Sequence, residues 1–245
     1  MKDDEYKSLT DLKAQLEIVE REKESLLKVV AHDLRSPLNK LFALVGLFKM
    51  SDAPLSDEQV DYLNKMELVI ADGLSKMRNL MDLRLVDDNR IKINYELIDL
   101  SRLIKKTIGE NQSAIERKNM AINYQGEKLR LETDGNTCLR IFDQLLSNAI
   151  KYSPIGSEIT INIVEDDDWL DIYVVDGGYG IEEEEHKLLF SKFKVLSTRT
   201  TGGESATGIG LYIAQKMALH IGGKIRYENN DRSKFILRLP KISVA

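Results

Sequence analysis

A histidine and an aspartate adjoin at positions 32 and 33 of the stretch AHDLRSPLNK, with Ser36 one helical turn beyond and Pro37 beside it. An exposed imidazole has a pKa of about 6.5, so most of it is neutral and nucleophilic at neutral pH. The Asp33 carboxylate can accept the Nδ1 proton and leave Nε2 free to attack, the base-and-orienter arrangement of activated nucleophiles. The apolar positions Val30 and Leu34 lie two steps from His32, about 200° around a helix, so the imidazole points away from the apolar stripe. Arg35, Ser36 and Asn39 share its face. Pro37 lacks an N–H and its ring crowds the Asp33 carbonyl, which predicts a bend just past the histidine. Taken alone, the pair also describes a surface histidine beside a helix kink.

Three later stretches carry a different chemistry. LLSNAIKYSP, residues 145–154, puts Asn148, Lys151 and Tyr152 near a helix C-terminus. An amide oxygen is a hard ligand suited to Mg²⁺, and an ammonium suits phosphate oxygens as a point charge. VVDGGYGIEEE, residues 174–184, comes directly off a strand. Its glycines permit a tight turn and close backbone approach to a flat ligand, and Asp176 can accept a hydrogen bond from an exocyclic amine such as that of adenine. TTGGESATGIGLYIAQKM, residues 200–217, is a glycine-rich loop ending at a helix N-terminus, a natural phosphate cradle. It is not a Walker loop, since no Gly-Lys-Ser/Thr follows, and it does not leave a strand as a Rossmann turn does.

Two kinds of scaffold must position these groups. Leu9, Leu12, Leu16, Val19, Leu26 and Val30 trace a coiled-coil seam, broken by Lys23. From Leu27 the stripe shifts to Val30, Leu34, Leu38, Leu41, Val45 and Phe48, a wider face suited to a bundle. Ser56 and Gln59 form a capping-box start for a second helix with the stripe Val60, Leu63, Met66, Ile70, Leu74, Met77 and Met81. Two such helices cannot cover their own stripes, so pairing with a second copy into a four-helix dimer is expected. After Arg90 the texture changes to short strands interleaved with helices: a strand in KINYELIDL, a helix over 100–118, strands in AINYQ and KLRLET, a helix in NTCLRIFDQLLSNAIKY and a hairpin around EDDD. A short helix near 182–191, a helix from about Ile209 and two final strands follow. The fold class is α+β. The segments are a coiled-coil signalling helix over 1–24, a helical hairpin over 25–90 and a layered domain over 91–245.

Composition narrows the function classes. The net charge of −5 without a basic block argues against nucleic acid as a main partner. Cys138 is the only cysteine, which excludes an internal disulfide and a cysteine-rich metal site. The acidic start is unlike a secretory signal, and no apolar run approaches a membrane span, so no direct membrane insertion is expected. A cytoplasmic setting fits, including that of the cytoplasmic portion of a larger, membrane-anchored sensor.

Jointly, the four stretches resemble the catalytic core of a two-component sensor histidine kinase. HDLRSPL looks like the H box, NAIKYSP the N box, DGGYGI the G1 box, LLFSKF the F box and TGIGL the G2 box, in the family's order. The resemblance implies a dimerization and phosphoacceptor hairpin followed by an α/β sandwich of the Bergerat (GHKL) ATP-binding type. By similarity, His32 is the phosphoacceptor and Asp33 its base or orienting partner. Asn148 would hold Mg²⁺, Lys151 the phosphates and Tyr152 the nucleotide, while Asp176 would read the adenine amine with Gly178, Gly180 and Ile181 beside it. Phe190 and Phe193 would anchor the loop over the site, and Thr207, Gly208, Ile209, Gly210 and Leu211 would line its phosphate side. Where the N box often begins with asparagine, Gln144 keeps an amide oxygen one methylene further out as a candidate metal ligand; the first G2 glycine is Ala206. The implied partners are a second copy, a response-regulator receiver domain and an upstream sensor domain, and the implied cofactors are ATP and Mg²⁺. Ser36 is a candidate for orienting water in dephosphorylation of the partner. The rival readings are a GHKL ATPase outside signalling and a dimeric scaffold without kinase activity.

Overall fold

The computed structural model describes residues 33–50, 54–88, 90–127, 129–202, 206–230 and 232–241, together with Val19. His32 and the rest of the expected coiled-coil segment lie outside these residues. Contacts divide the chain into two units, Met1–Asp82 and Leu83–Ala245.

The first unit is a helical hairpin. Helix α1 runs through residues 33–49 and continues through Pro37. Helix α2, Asp57–Asp87, starts with the expected reciprocal cap: the Ser56 N–H donates to Gln59 Oε1 at 2.9 Å and the Gln59 N–H to Ser56 Oγ at 3.2 Å. Val45, Leu63 and Ile70 form the buried seam, with Leu38, Leu55 and Leu74 packed against it. The Leu38 side chain lies against Gly73, while Lys49 bonds Glu67 at 2.6 Å and Asn64 at 2.8 Å. Later positions of α1 thus meet earlier positions of α2, which makes the helices antiparallel. Much of both stripes stays uncovered within the chain: Leu34, Leu41, Phe48, Val60 and Met66 are exposed.

The second unit layers helices on a sheet. Its five strands run in the order β2 (Ala121–Tyr124), β4 (Glu158–Glu165), β5 (Trp169–Val175), β7 (Arg232–Pro240), β6 (Lys224–Asn230). The β2–β4 pair is parallel and the others are antiparallel. Strands β1 (Glu96–Asp99) and β3 (Arg130–Thr133) form a separate antiparallel pair. Alternation turns Leu170, Ile172 and Val174 of β5, and Phe235, Leu237 and Leu239 of β7, into one core. Helix α5 (Gly135–Tyr152) meets them with Ile141, Phe142, Leu145, Leu146 and Ala149, and α6 (Gly210–His220) with Ile213, Ala214, Met217 and Ala218. Each large side chain so buried contributes about 1.5–3 kcal/mol.

Capping fixes the helix starts. Asp99 accepts from the Arg102 N–H at the start of α3 (Leu100–Glu110), and Asp134 Oδ1 from the Thr137 N–H at the start of α5. The expected single helix over 100–118 is two, because Asn111 breaks it before α4 (Gln112–Arg117). The Asn111 side-chain amide donates to Thr107 O and to Asp143 Oδ1, each at 3.0 Å, so it competes with helical continuation. The expected helix near 182–191 is a 3-10 turn over Glu183–Leu188. Composition changes near residue 90, whereas contacts change at Asp82: Leu83 and Val86 already pack into the second core.

Candidate functional site

Asp176 follows β5 and is 2% exposed. Its Oδ2 accepts from Ser233 Oγ at 2.8 Å and its Oδ1 from the Gly178 N–H at 2.7 Å. Burial raises its carboxyl above the ordinary carboxylate range, against the opposing pull of Ser233, Gly178 and Arg232. An ionised carboxylate offers about four acceptor positions, so these two bonds orient the group without exhausting it. That suits it to receive an N–H from a planar ligand.

The glycines around it occupy places where a side chain cannot stand. A Cβ on Gly178 would lie 2.7 Å from Asp176 Oδ1. Gly180 has φ +79°, and a Cβ there would fall 2.5 Å from the Asn229 amide. At Gly208, φ is +67° and a Cβ would meet the Lys194 carbonyl oxygen at 2.5 Å. Gly210 opens α6, whose N-cap residue Ile209 makes no side-chain capping bond. The first turn of α6 thus lies at the end of the glycine loop, a geometry that favours phosphate. Asn148, Lys151 and Tyr152, all half-buried, come from the last turns of α5. The Tyr152 carbonyl oxygen would lie 3.4 Å from a Gly178 Cβ, which brings the N-box and G1 backbones together. A carboxylate for an amine, a glycine cradle, an ammonium and a helix N-terminus make a set of donors and acceptors that fits an adenine nucleotide.

Comparisons with known proteins cover the same domain. Residues 133–243 match the family model described as Histidine kinase-, DNA gyrase B-, and HSP90-like ATPase. Over these residues the chain is similar to that family. One curated relative, the sensor protein VanSC of Enterococcus gallinarum, is 32% identical over 238 residues, which is 96% of this chain and 65% of that protein. The chain spans 30% of the next relative's length. The solved catalytic domain of histidine kinase ThkA is 28% identical with a TM-score of 0.54, over 60% of this chain and 96% of that one. The full-length ShkA structure in complex with AMPPNP aligns with a TM-score of 0.65 over 90% of this chain and 47% of that one. At 17% identity that likeness shows the fold alone.

Within the second unit Asn148, Lys151 and Tyr152 lie on the last turns of α5, Asp176, Gly178 and Gly180 in the turn after β5, and Thr207–Leu211 at the start of α6. Ile181 follows Gly180 in this turn, and its N–H donates to Tyr227 Oη of β6 at 3.0 Å. Gln144 is 8% exposed, and its Oε1 would lie 2.5 Å from a Gly210 Cβ, so its amide faces the start of α6. Of the two phenylalanines expected to anchor the loop, Phe190 packs against the core, whereas Phe193 is 65% exposed with φ +58°. Lys192 between them bonds Asp87, which also accepts from Tyr212 Oη at 2.9 Å. His186 and His220 bond backbone carbonyls of Ile181 and Lys216, consistent with structural roles.

Several contributors escape a reading of the sequence. Ser233 is visible only as a hydroxyl at an inward position of a strand whose other inward residues, Phe235, Leu237 and Leu239, are apolar. Asn229, Ser153 and Thr201 carry no such signal. Lys118, in the polar run ERKNM, is 4% exposed. In the hairpin, Asp33, Arg35, Ser36 and Asn39 are exposed, and so is Leu34 of the apolar stripe.

Proposed function

We propose that the chain is the kinase core of a two-component sensor, phosphorylating itself on His32 from Mg·ATP and passing the group to an aspartate of a response-regulator receiver domain. The observation that carries this reading is the buried Asp176, held by Ser233 and Gly178 beside the glycine cradle, in a chain whose hairpin bears an Asp-flanked histidine. Asp176 takes the adenine amine, Lys151 and the α6 N-terminus hold the phosphates, and Tyr152, Ile181 and Leu211 flank the nucleotide. Asn148, with Gln144 one turn before it, would supply amide oxygens to Mg²⁺, and the ion would supply charge neutralisation for the transfer. Among the described residues no group of three or more His, Cys, Asp or Glu could hold a metal ion, which leaves the amide oxygens as the protein's candidate donors.

His32 Nε2 attacks the γ-phosphorus as the bond to the ADP oxygen breaks, and Asp33 holds the Nδ1 proton. Such transfer depends mostly on positioning and charge neutralisation. The exposed apolar side chains of α1 and α2 are covered by a second copy, which makes the working unit a homodimer. Ser36, one turn past the histidine, orients water when the partner is dephosphorylated. No helix among the described residues is long and apolar enough to cross a membrane. We place the core in the cytoplasm, downstream of a sensor domain.

The test is incubation with γ-labelled ATP. Acid-labile, base-stable label is expected on the wild-type chain and absent from His32→Gln. Label that persists in that variant refutes the assignment, and free phosphate without phosphoprotein identifies an ATPase instead.

A further inference from the structure

Lys118 is a buried cation with no place in the scheme above. It follows α4, and its ammonium donates to Ile150 O at 2.6 Å, Lys151 O at 2.9 Å and Thr201 Oγ1 at 2.8 Å. Ile150 and Lys151 lie in the last turn of α5, where carbonyls lack intrahelical partners and the helix dipole is negative. Thr201 lies at the start of the glycine-rich loop. Its N–H donates to Lys151 O at 3.0 Å, and its hydroxyl donates to Ser153 O while accepting from Lys118. One side chain thus joins the helix end bearing Lys151 and Tyr152 to the first residues of the loop that leads to Gly208.

The preceding residues are tied as well. Ser197 bonds Glu185 through its N–H, at 2.9 Å, and its hydroxyl, at 2.7 Å, and Thr198 Oγ1 donates to Gly180 O at 3.3 Å. Thr201 continues this row of hydroxyl ties and is bound to the element that carries Lys151. Burying an ammonium is costly unless its protons are accepted, so three oxygen acceptors at 2.6–2.9 Å hold it in one geometry.

We propose that Lys118 and Thr201 are positioning residues for the triphosphate, fixing the root of the glycine-rich loop to the α5 C-terminus so that loop and Lys151 face the same phosphates. This rests on the nucleotide reading of the site. Neither side chain touches the ligand; both act through Lys151 and the loop, so their loss is felt on the phosphate side and not on the adenine side.

The experiment compares the full chain carrying Thr201→Val, Thr201→Ser, Lys118→Met or Lys118→Arg with the wild type. Thr201→Val is expected to weaken ATP about tenfold by titration calorimetry, with adenosine affinity within about twofold of wild type. Thr201→Ser, which keeps the hydroxyl, restores ATP affinity. Lys118→Met is expected to match Thr201→Val, with Lys118→Arg in between; if Lys118→Met fails to fold, the threonine pair decides. A second readout needs no nucleotide: trypsin cleavage after the exposed Arg199 quickens several-fold in Thr201→Val and not in Thr201→Ser. Equal losses of ATP and adenosine, unchanged ATP affinity, or unchanged cleavage at Arg199 would overturn the proposal. A wild-type chain that binds neither ligand refutes the nucleotide reading, and the tryptic comparison then still decides whether the tie exists.

Discussion

The hairpin and the layered domain solve burial differently. In the domain, Phe142, Leu145, Ile172 and Leu237 are fully inaccessible, and a single core draws on α3, α5, α6 and the sheet. In the hairpin the buried seam is Val45, Leu63 and Ile70, while Leu44, Leu47 and Val69 are 59%, 66% and 73% exposed. A sheet covered by helices closes its own apolar face; two helices side by side cannot. The domain should therefore be stable as a monomer, whereas the hairpin depends on what it binds.

Four measurements sharpen or break that contrast. Truncating the domain core with Phe142→Ala should cost about 3–5 kcal/mol in denaturant unfolding of the domain, because the helices and sheet around it cannot collapse into the space. A loss under 1 kcal/mol would mean that the core is loosely packed. In the hairpin, Leu47→Glu should weaken self-association about hundredfold in analytical ultracentrifugation, roughly 2.7 kcal/mol, and leave the domain's unfolding unchanged. Unchanged association would move the dimer face elsewhere.

The third measurement separates function from stability at Asp176. Burial raises its carboxyl above the usual range, so the folded domain favours the neutral form. The stability this contributes is complete below the ordinary value of about 3.9 and is lost as pH rises through the raised one. Asp176→Asn should consequently abolish that pH-dependent decline in melting temperature and match or exceed wild-type stability near pH 7. Its ATP affinity should fall at least about tenfold. Lower stability at neutral pH would show that the carboxylate is supported better than its burial suggests. The smallest effect belongs to Ser56→Ala, which removes the reciprocal cap of α2 and should cost about 1 kcal/mol of hairpin stability.

Much of the domain was legible because its signals are local. Alternation in DIYVVD and FILRLP specifies strands with one inward face, and Asp134 before GNTC specifies a helix start. The break at Asn111 was not legible, because its side chain chooses between continuing the helix and bonding Asp143, 32 residues away in sequence. The site divides in the same way. The glycines at 178, 180, 208 and 210, with Asn148, Lys151 and Asp176, announce themselves by type and spacing. Ser233 and Lys118 do not, since each acquires its role from partners on distant elements, and Gln144 could be named but not placed.

By itself the sequence determined the order of most helices and strands, where the Asp-flanked histidine and the glycine loops fall, and that the hairpin's apolar stripes exceed what two helices can hide. Hydrophobic period, capping residues and turn chemistry act over a few neighbours, so they can be read in one dimension. Only the tertiary structure decided that Ser233 steadies Asp176 and that Lys118 joins the end of α5 to Thr201. Those choices arise because a buried polar atom must find its partner wherever packing brings one within about 3 Å, and chain order does not encode that proximity.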